Sequence, residues 1–214
     1  MMKVDDAEIK SGKDHRPEKD FDDAEVIERI LSGEINDFAI LVRKYQKGIY
    51  NYALRMLGHE EEARDLAQDI FVAAFKGLKG FRGESKFSTW LFRIAINQTK
   101  NRIKYLRRRH FFDDEQITSE ARETPDMFAT LSGSEDNPEE VFLKKDFNSL
   151  IMRGLMELPP EARQIIILRD IEDFTYEELS QIMELNLGTV KSRLHRARHA
   201  LRKLVETKVS QGKK

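Results

Sequence analysis

The sequence predicts an all-α protein: two small helical domains joined by a flexible acidic linker. Three observations lead there. Apolar residues recur at helical spacing over most of the chain, and no useful stretch alternates as a half-buried strand does. Basic residues gather in two blocks with an acidic block between them. Near the C-terminal end a helix-capping signature, a tight turn and a basic amphipathic stretch follow one another.

The chain has 214 residues, of which 35% are charged and 40% hydrophobic, so two domains would each have a thin core. The net charge of −1 hides a strong pattern. Asn97–Arg109 carries six Lys or Arg and no acid, Asp113–Glu140 carries ten acids and one base, and Gly188–Lys214 carries nine Lys or Arg and one acid. There is no cysteine, which removes disulfides, thiolate nucleophiles and the usual zinc sites. The N-terminal stretch MMKVDDAEIKSGKDHRPEKD has no apolar segment of the kind a signal peptide needs. No run approaches the roughly 18 apolar residues of a spanning helix. A cytoplasmic protein is expected. The histidines (His15, His59, His110, His195 and His199) show no ligand spacing with acids, and no phosphate loop or nucleophile motif is present. No catalytic group, cofactor, metal or small-molecule substrate is expected.

Residues 1–21 read as a disordered tail, being nearly free of large apolar side chains. The first domain is expected over 22–110, with about four helices. In Phe38–Leu57 the apolar positions Phe38, Leu41, Val42, Tyr45, Ile49, Tyr52 and Met56 share one face. In Glu60–Leu78, Ala63, Leu66, Ala67, Ile70, Phe71, Ala74, Phe75 and Leu78 do the same, and Gly77 and Gly80 mark the end. A third long helix starts near Ser85, with Phe87, Trp90, Leu91, Ile94 and Ala95 inside and a basic face growing toward Arg109. Residues 111–140, with Pro125, Gly133 and Pro138 and no clean period, form the linker. The second domain is expected over 141–207. Its Pro159–Pro160 pair opens a helix over Glu161–Ile171. A basic tail, 208–214, follows.

The sharpest local signal lies in the second domain. Thr175-Tyr176-Glu177-Glu178 is a capping box. The short helix after it carries Leu179, Ile182 and Met183, and Asn186 suits the N-cap of the next helix. That helix places Val190, Leu194, Ala197, Leu201 and Leu204 on one face and Lys191, Ser192, Arg193, His195, Arg196, Arg198 and His199 on the other. A short helix, a turn and a basic amphipathic helix form a helix-turn-helix, the geometry that enters a major groove. The bland alternative is a solvated basic helix.

A second nucleic-acid surface is suggested by Asn97–Arg109, where bases interleave with amides and an aromatic ring, a pattern suited to unpaired strands. Helical spacing favours a packed core for Trp90. Arg107–Arg109 also suit the negative end of a helix dipole.

Three stretches together resemble the extracytoplasmic-function group of the sigma-70 family. EARDLAQDIFVAAF (Glu62–Phe75) is similar to its core-polymerase-binding segment, FRGESKFSTWLFRIAINQTKN (Phe81–Asn101) to its promoter-melting and −10-reading segment, and Leu158–Leu201 to its −35-reading domain. The resemblance covers about Asp22–Val205. It implies a sigma factor without enzymatic activity, in a stress or envelope response, that docks on the clamp of the largest polymerase subunit and the flap of the second-largest. It also implies restraint by an anti-sigma protein, and either packing of the two domains together in the free chain or clamping of them by that protein.

By position, the resemblance assigns core-polymerase binding to Asp65, Gln68, Asp69 and Phe71. Arg82, Lys86, Asn97, Lys100, Asn101 and Lys104 take the −10 element, and the loop Arg82–Lys86 captures a flipped base. Thr189, Lys191, Ser192, Arg193, His195 and Arg196 take the −35 element. His195 falls where the family often has an aromatic or hydrophobic residue. Asp65 and Asp69 could equally be a solvated face, and the acidic linker either an RNA-like strand in the polymerase channel or a spacer. A stand-alone helix-turn-helix regulator would need a sensor or dimerisation domain in the first half, and no α/β receiver pattern is found there.

Overall fold

The computed structural model describes residues 22–109 and 138–211. The expected N-terminal tail, all but the last three positions of the expected linker, and residues 212–214 lie outside the described residues. Among the described residues every regular element is a helix.

The first domain has four helices: α1 (Asp23–Leu31), α2 (Phe38–Leu57), α3 (Glu60–Gly77) and α4 (Phe87–Arg108). Local chemistry sets their ends. Asp22 caps α1 by accepting from the Ala24 amide at 3.3 Å. His59 Nδ1 accepts from the Glu62 amide at 3.4 Å, and Glu60, Glu61 and Glu62 meet the positive end of α3. α4 begins at Phe87, two residues after the position the apolar pattern suggests, because Lys86 is still extended.

The second domain has α5 (Pro138–Glu157), α6 (Pro160–Ile166), α7 (Tyr176–Met183) and α8 (Leu187–Gln211). Pro160 stands at the first turn of α6, where its missing N–H costs nothing. α6 continues as a π-helical turn over Ile167–Ile171, and Asp173 just beyond takes a left-handed φ of 56°.

The two domains do not stand apart. Buried residues of both form one continuous core. α2 is its centre, with Ile49, Tyr52 and Leu57 buried on the first-domain side. Leu155, Ile165, Ile167 and Leu168 are buried on the other side. Between them, Phe92 meets the Phe174 ring edge-on at 4.8 Å, and Gln164 donates to the Tyr52 hydroxyl at 3.0 Å. The amphipathic pattern marked Tyr52 and Met56 as inward-facing, and the structure shows that the second domain covers part of that face.

Arg163 binds the domains most closely. Its guanidinium is buried and donates to the carbonyls of Leu155 at 2.8 Å, Leu158 at 3.3 Å and Met156 in its own domain, and to the Met56 carbonyl at the end of α2 at 2.5 Å. Burial pulls its pKa down to about 10, which leaves it charged at neutral pH.

Gly58 ends α2 at φ 73°, and a Cβ there would come 2.5 Å from Met156 Cε across the seam. Gly58→Ala therefore combines a left-handed backbone with a displaced methionine. The expected loss is about 1–2 kcal/mol of stability, read as a lower midpoint in urea unfolding with the slope unchanged.

Candidate nucleic-acid interface

The helix-turn-helix is built as its sequence implies. Thr175 Oγ1 accepts from the Glu178 amide at 3.2 Å, and Glu178 Oε2 accepts from the Thr175 amide at 2.8 Å. Leu179 and Ile182 anchor α7 in the core. Glu184 takes the left-handed conformation that ends the helix, and Ser180 donates to the Leu185 carbonyl within the turn. Asn186 Oδ1 then accepts from the Thr189 amide at 2.8 Å. Val190, Leu194 and Ala197 fix one face of α8 inward. That leaves Lys191, Ser192, Arg193, His195 and Arg196 exposed together, with Thr189 half-buried at the helix start. Cations and a hydroxyl on one exposed helix face can meet phosphates and base edges at once.

Spacing alone missed what supports this face. The Tyr176 ring lies under two cations, Arg169 at 5.2 Å and Lys191 at 5.7 Å. Arg198 Nε donates to Asp170 Oδ2 at 2.9 Å, and a second contact makes the pair bidentate. These partners come from the π-turn, α7 and α8, so no short sequence window contains them all. Tyr176→Leu removes the platform under Lys191. It is expected to weaken duplex binding by about 0.5–1 kcal/mol, measured by anisotropy of a labelled duplex at fixed salt.

On the first domain Asn97, Lys100, Asn101 and Lys104 are all exposed, at steps of three, one and three along α4. They form one stripe. Arg82 is exposed in the preceding loop. Lys86 is exposed but paired with Glu178 of α7 at 2.9 Å, a hydrogen bond that raises its pKa. Arg93 likewise meets Glu184. Two carboxylates of the helix-turn-helix thus sit on cations of the first domain.

A third surface lies between α2 and α3: a groove of about 1030 Å³ floored by Phe38, Val42, Phe71 and Phe75. Ile35, Val72 and Phe75 remain 58%, 45% and 40% exposed there, an apolar patch that a lone domain would normally cover. Arg43, Lys47, Arg64 and Lys76 line it with positive charge. Gln68 and Phe71 open into this groove, with Phe71 buried in its floor. Asp65 is exposed. Asp69 is turned to Arg102, which bridges it at 2.9 Å and Glu62 at 2.7 Å. Among the described residues no group of His, Asp and Glu could hold a metal, and no helix is long and apolar enough to cross a membrane.

Residues 41–109 match Sigma-70 region 2, and residues 148–201 match Sigma-70, region 4. The RNA polymerase sigma-H factor of Pseudomonas aeruginosa is 35% identical over 184 residues, covering 86% of this chain and 94% of that protein. The chain belongs to the sigma-70 family, in its extracytoplasmic-function group. Two further relatives are 34% identical to this sigma factor: SigW of Bacillus subtilis, over 83% of this chain and 93% of its own, and the sigma-E factor of Escherichia coli, over 84% and 92%. Both are ECF RNA polymerase sigma factors. Solved structures share the fold. CnrH, bound to the cytosolic domain of CnrY, aligns with a TM-score of 0.60 at 22% identity over 86% of this chain and 97% of that one. The sigma factor RpoE of Bartonella quintana, bound to the anti-sigma factor NepR, aligns at 0.56 and 22% over 79% and 97%. The match to both regions, in this order, fits an all-α sigma factor with a region-2 and a region-4 domain.

Proposed function

We infer that this sigma factor brings core RNA polymerase to chosen promoters and acts by binding, without catalysis of its own. The observation that carries the reading is the pairing, in one chain, of the region-4 helix-turn-helix with a second cationic stripe on region 2. Thr189, Lys191, Ser192, Arg193, His195 and Arg196 read the −35 duplex. Asn97, Lys100, Asn101 and Lys104 follow the −10 strand, with Arg82 and Lys86 at the loop that receives an extruded base. Extrusion costs a few kcal/mol, so the loop must offset it with stacking and hydrogen bonds.

The groove of α2 and α3 is the polymerase-docking surface, with Gln68 and Phe71 at its floor and Asp65 exposed on α3. Asp69 joins only if Arg102 releases it. The region-4 domain rests on the flap of the second-largest subunit. The complexes of CnrH and of RpoE support an anti-sigma partner for this chain as well. The place of action is the cytoplasm, where polymerase and promoter meet.

This function requires the seam to open. The −10 and −35 elements lie roughly 25 base pairs apart, or about 85 Å of duplex. A compact chain of this length has a radius of gyration of about 17 Å. The closed packing cannot span both.

The decisive experiment is in-vitro transcription with core polymerase over a randomised promoter library. Defined start sites with two recurring upstream elements are expected, and RNA synthesis that never begins at defined positions refutes the reading. In the same assay Arg196→Ala is expected to cost about 1–3 kcal/mol at promoters with a good −35 element.

A further inference from the structure

We propose that the seam between the two domains is a proton-controlled latch, in which protonation of Glu172 favours the closed packing and its ionisation favours separation. Glu172 follows the π-turn of the second domain and reaches into the first. Its side chain is 15% exposed, and its Oε1 lies 3.4 Å from Nη1 of Arg55 on α2, itself 3% exposed. Its other oxygen rests over Gly48, where an added Cβ would come to 3.5 Å. Each charge therefore gives up most of its water when the domains close, and the contact between them is longer than a good ion pair.

The charged groups around Glu172 do not restore that loss. A cavity of about 290 Å³ beside it is lined by Lys44, Tyr45, Asp173 and Glu178. On α2, Lys44 pairs with Asp23 of α1 at 2.9 Å, and the Tyr45 hydroxyl donates to the same carboxylate. On α7, Glu178 is engaged by Lys86. Asp173, the next residue, adds a like charge. From α4 the cavity receives Ser88 and Phe92, which carry none.

Burial pushes the Glu172 carboxyl up to about 7; Arg55 pulls it down and Asp173 raises it, but burial dominates. Separation of the domains returns it to water and to the ordinary carboxylate range. The closed state therefore binds more protons than the open one. Its advantage is complete below the ordinary carboxylate pKa of about 4.5, falls by up to tenfold per pH unit as pH rises, and is lost above about 7.

The consequence for promoter use rests on the function inferred above, but the latch can be tested in the free chain without polymerase. Dyes are attached to the full-length E61C/K203C variant, whose two positions are exposed on opposite domains, and energy transfer is read from pH 5.5 to 8 with helicity followed in parallel. The closed-to-open ratio is expected to fall roughly twentyfold across that range. E172Q, which cannot ionise, is expected to stay closed with a flat profile. A ratio independent of pH in the Glu172 chain, or pH dependence that survives in E172Q, overturns the latch. Failure of the transcription assay with a working latch would instead overturn the function.

Discussion

Arg163→Met lowers the thermal unfolding midpoint by roughly 6–12 °C. The guanidinium is 7% exposed and bonds to four backbone carbonyls: Met56, Leu155, Met156 and Leu158. Three of these lie in the last turns of α2 and α5, where the dipoles are negative, and of the three the Leu155 carbonyl also accepts from the Leu158 amide at 3.1 Å and so keeps a partner when Arg163 is removed. Methionine fills similar space but offers no donor. Each stranded buried acceptor costs about 1–3 kcal/mol, so a loss of about 3 kcal/mol is conservative. For a protein of this size each kcal/mol moves the midpoint by about 2–4 °C. Arg163→Lys is expected to recover only part of the loss, because one ammonium cannot serve four acceptors spread around a planar fork. Calorimetry measures both variants. A shift below about 2 °C for Arg163→Met would show that the carbonyls find other partners.

Val72→Glu reduces association with core polymerase by about thirtyfold or more while leaving the free protein folded. Val72 is 45% exposed at the groove of α2 and α3, so a carboxylate there remains in water and costs little in the free chain. Once a partner helix covers the groove, that carboxylate must be desolvated at the centre of the contact. Substitutions at such central positions cost 2 kcal/mol or more. Binding of labelled protein to core polymerase measures the loss, and an unchanged melting curve separates it from misfolding. Retained affinity would move the docking surface elsewhere on the domain.

Most of the local architecture was legible in the residues. Capping groups and periodicity are short-range features. Thr175 and Glu178 announce the start of α7, Asn186 the start of α8, and the steps of Val190, Leu194 and Ala197 decide which side of α8 is wet. The exposed stripe Asn97–Lys104 follows from the apolar positions behind it. Helical spacing also favoured a packed Trp90, and its ring is half-buried against Phe81 at 5.3 Å and Phe87 at 5.6 Å.

Other features were illegible for a physical reason. Asp69 looked like a twin of Asp65 on one helix face, yet Arg102, 33 residues later, claims it. The groove became visible only when α2 and α3 were set side by side. The support for the exposed cationic face of α8 unites Arg169, Tyr176 and Lys191 from three elements.

The sequence by itself determined that the chain is helical, where its helices begin and turn, and which helix faces carry the positive charge, because caps, dihedral preferences and the 3.6-residue period act within a few residues. Only the tertiary structure decided that the two domains close on each other through Arg163, Phe174 and Glu172. Those contacts join residues about 80 to 120 positions apart. Burial and desolvation depend on who the neighbour is, and no local pattern names a neighbour that far along the chain.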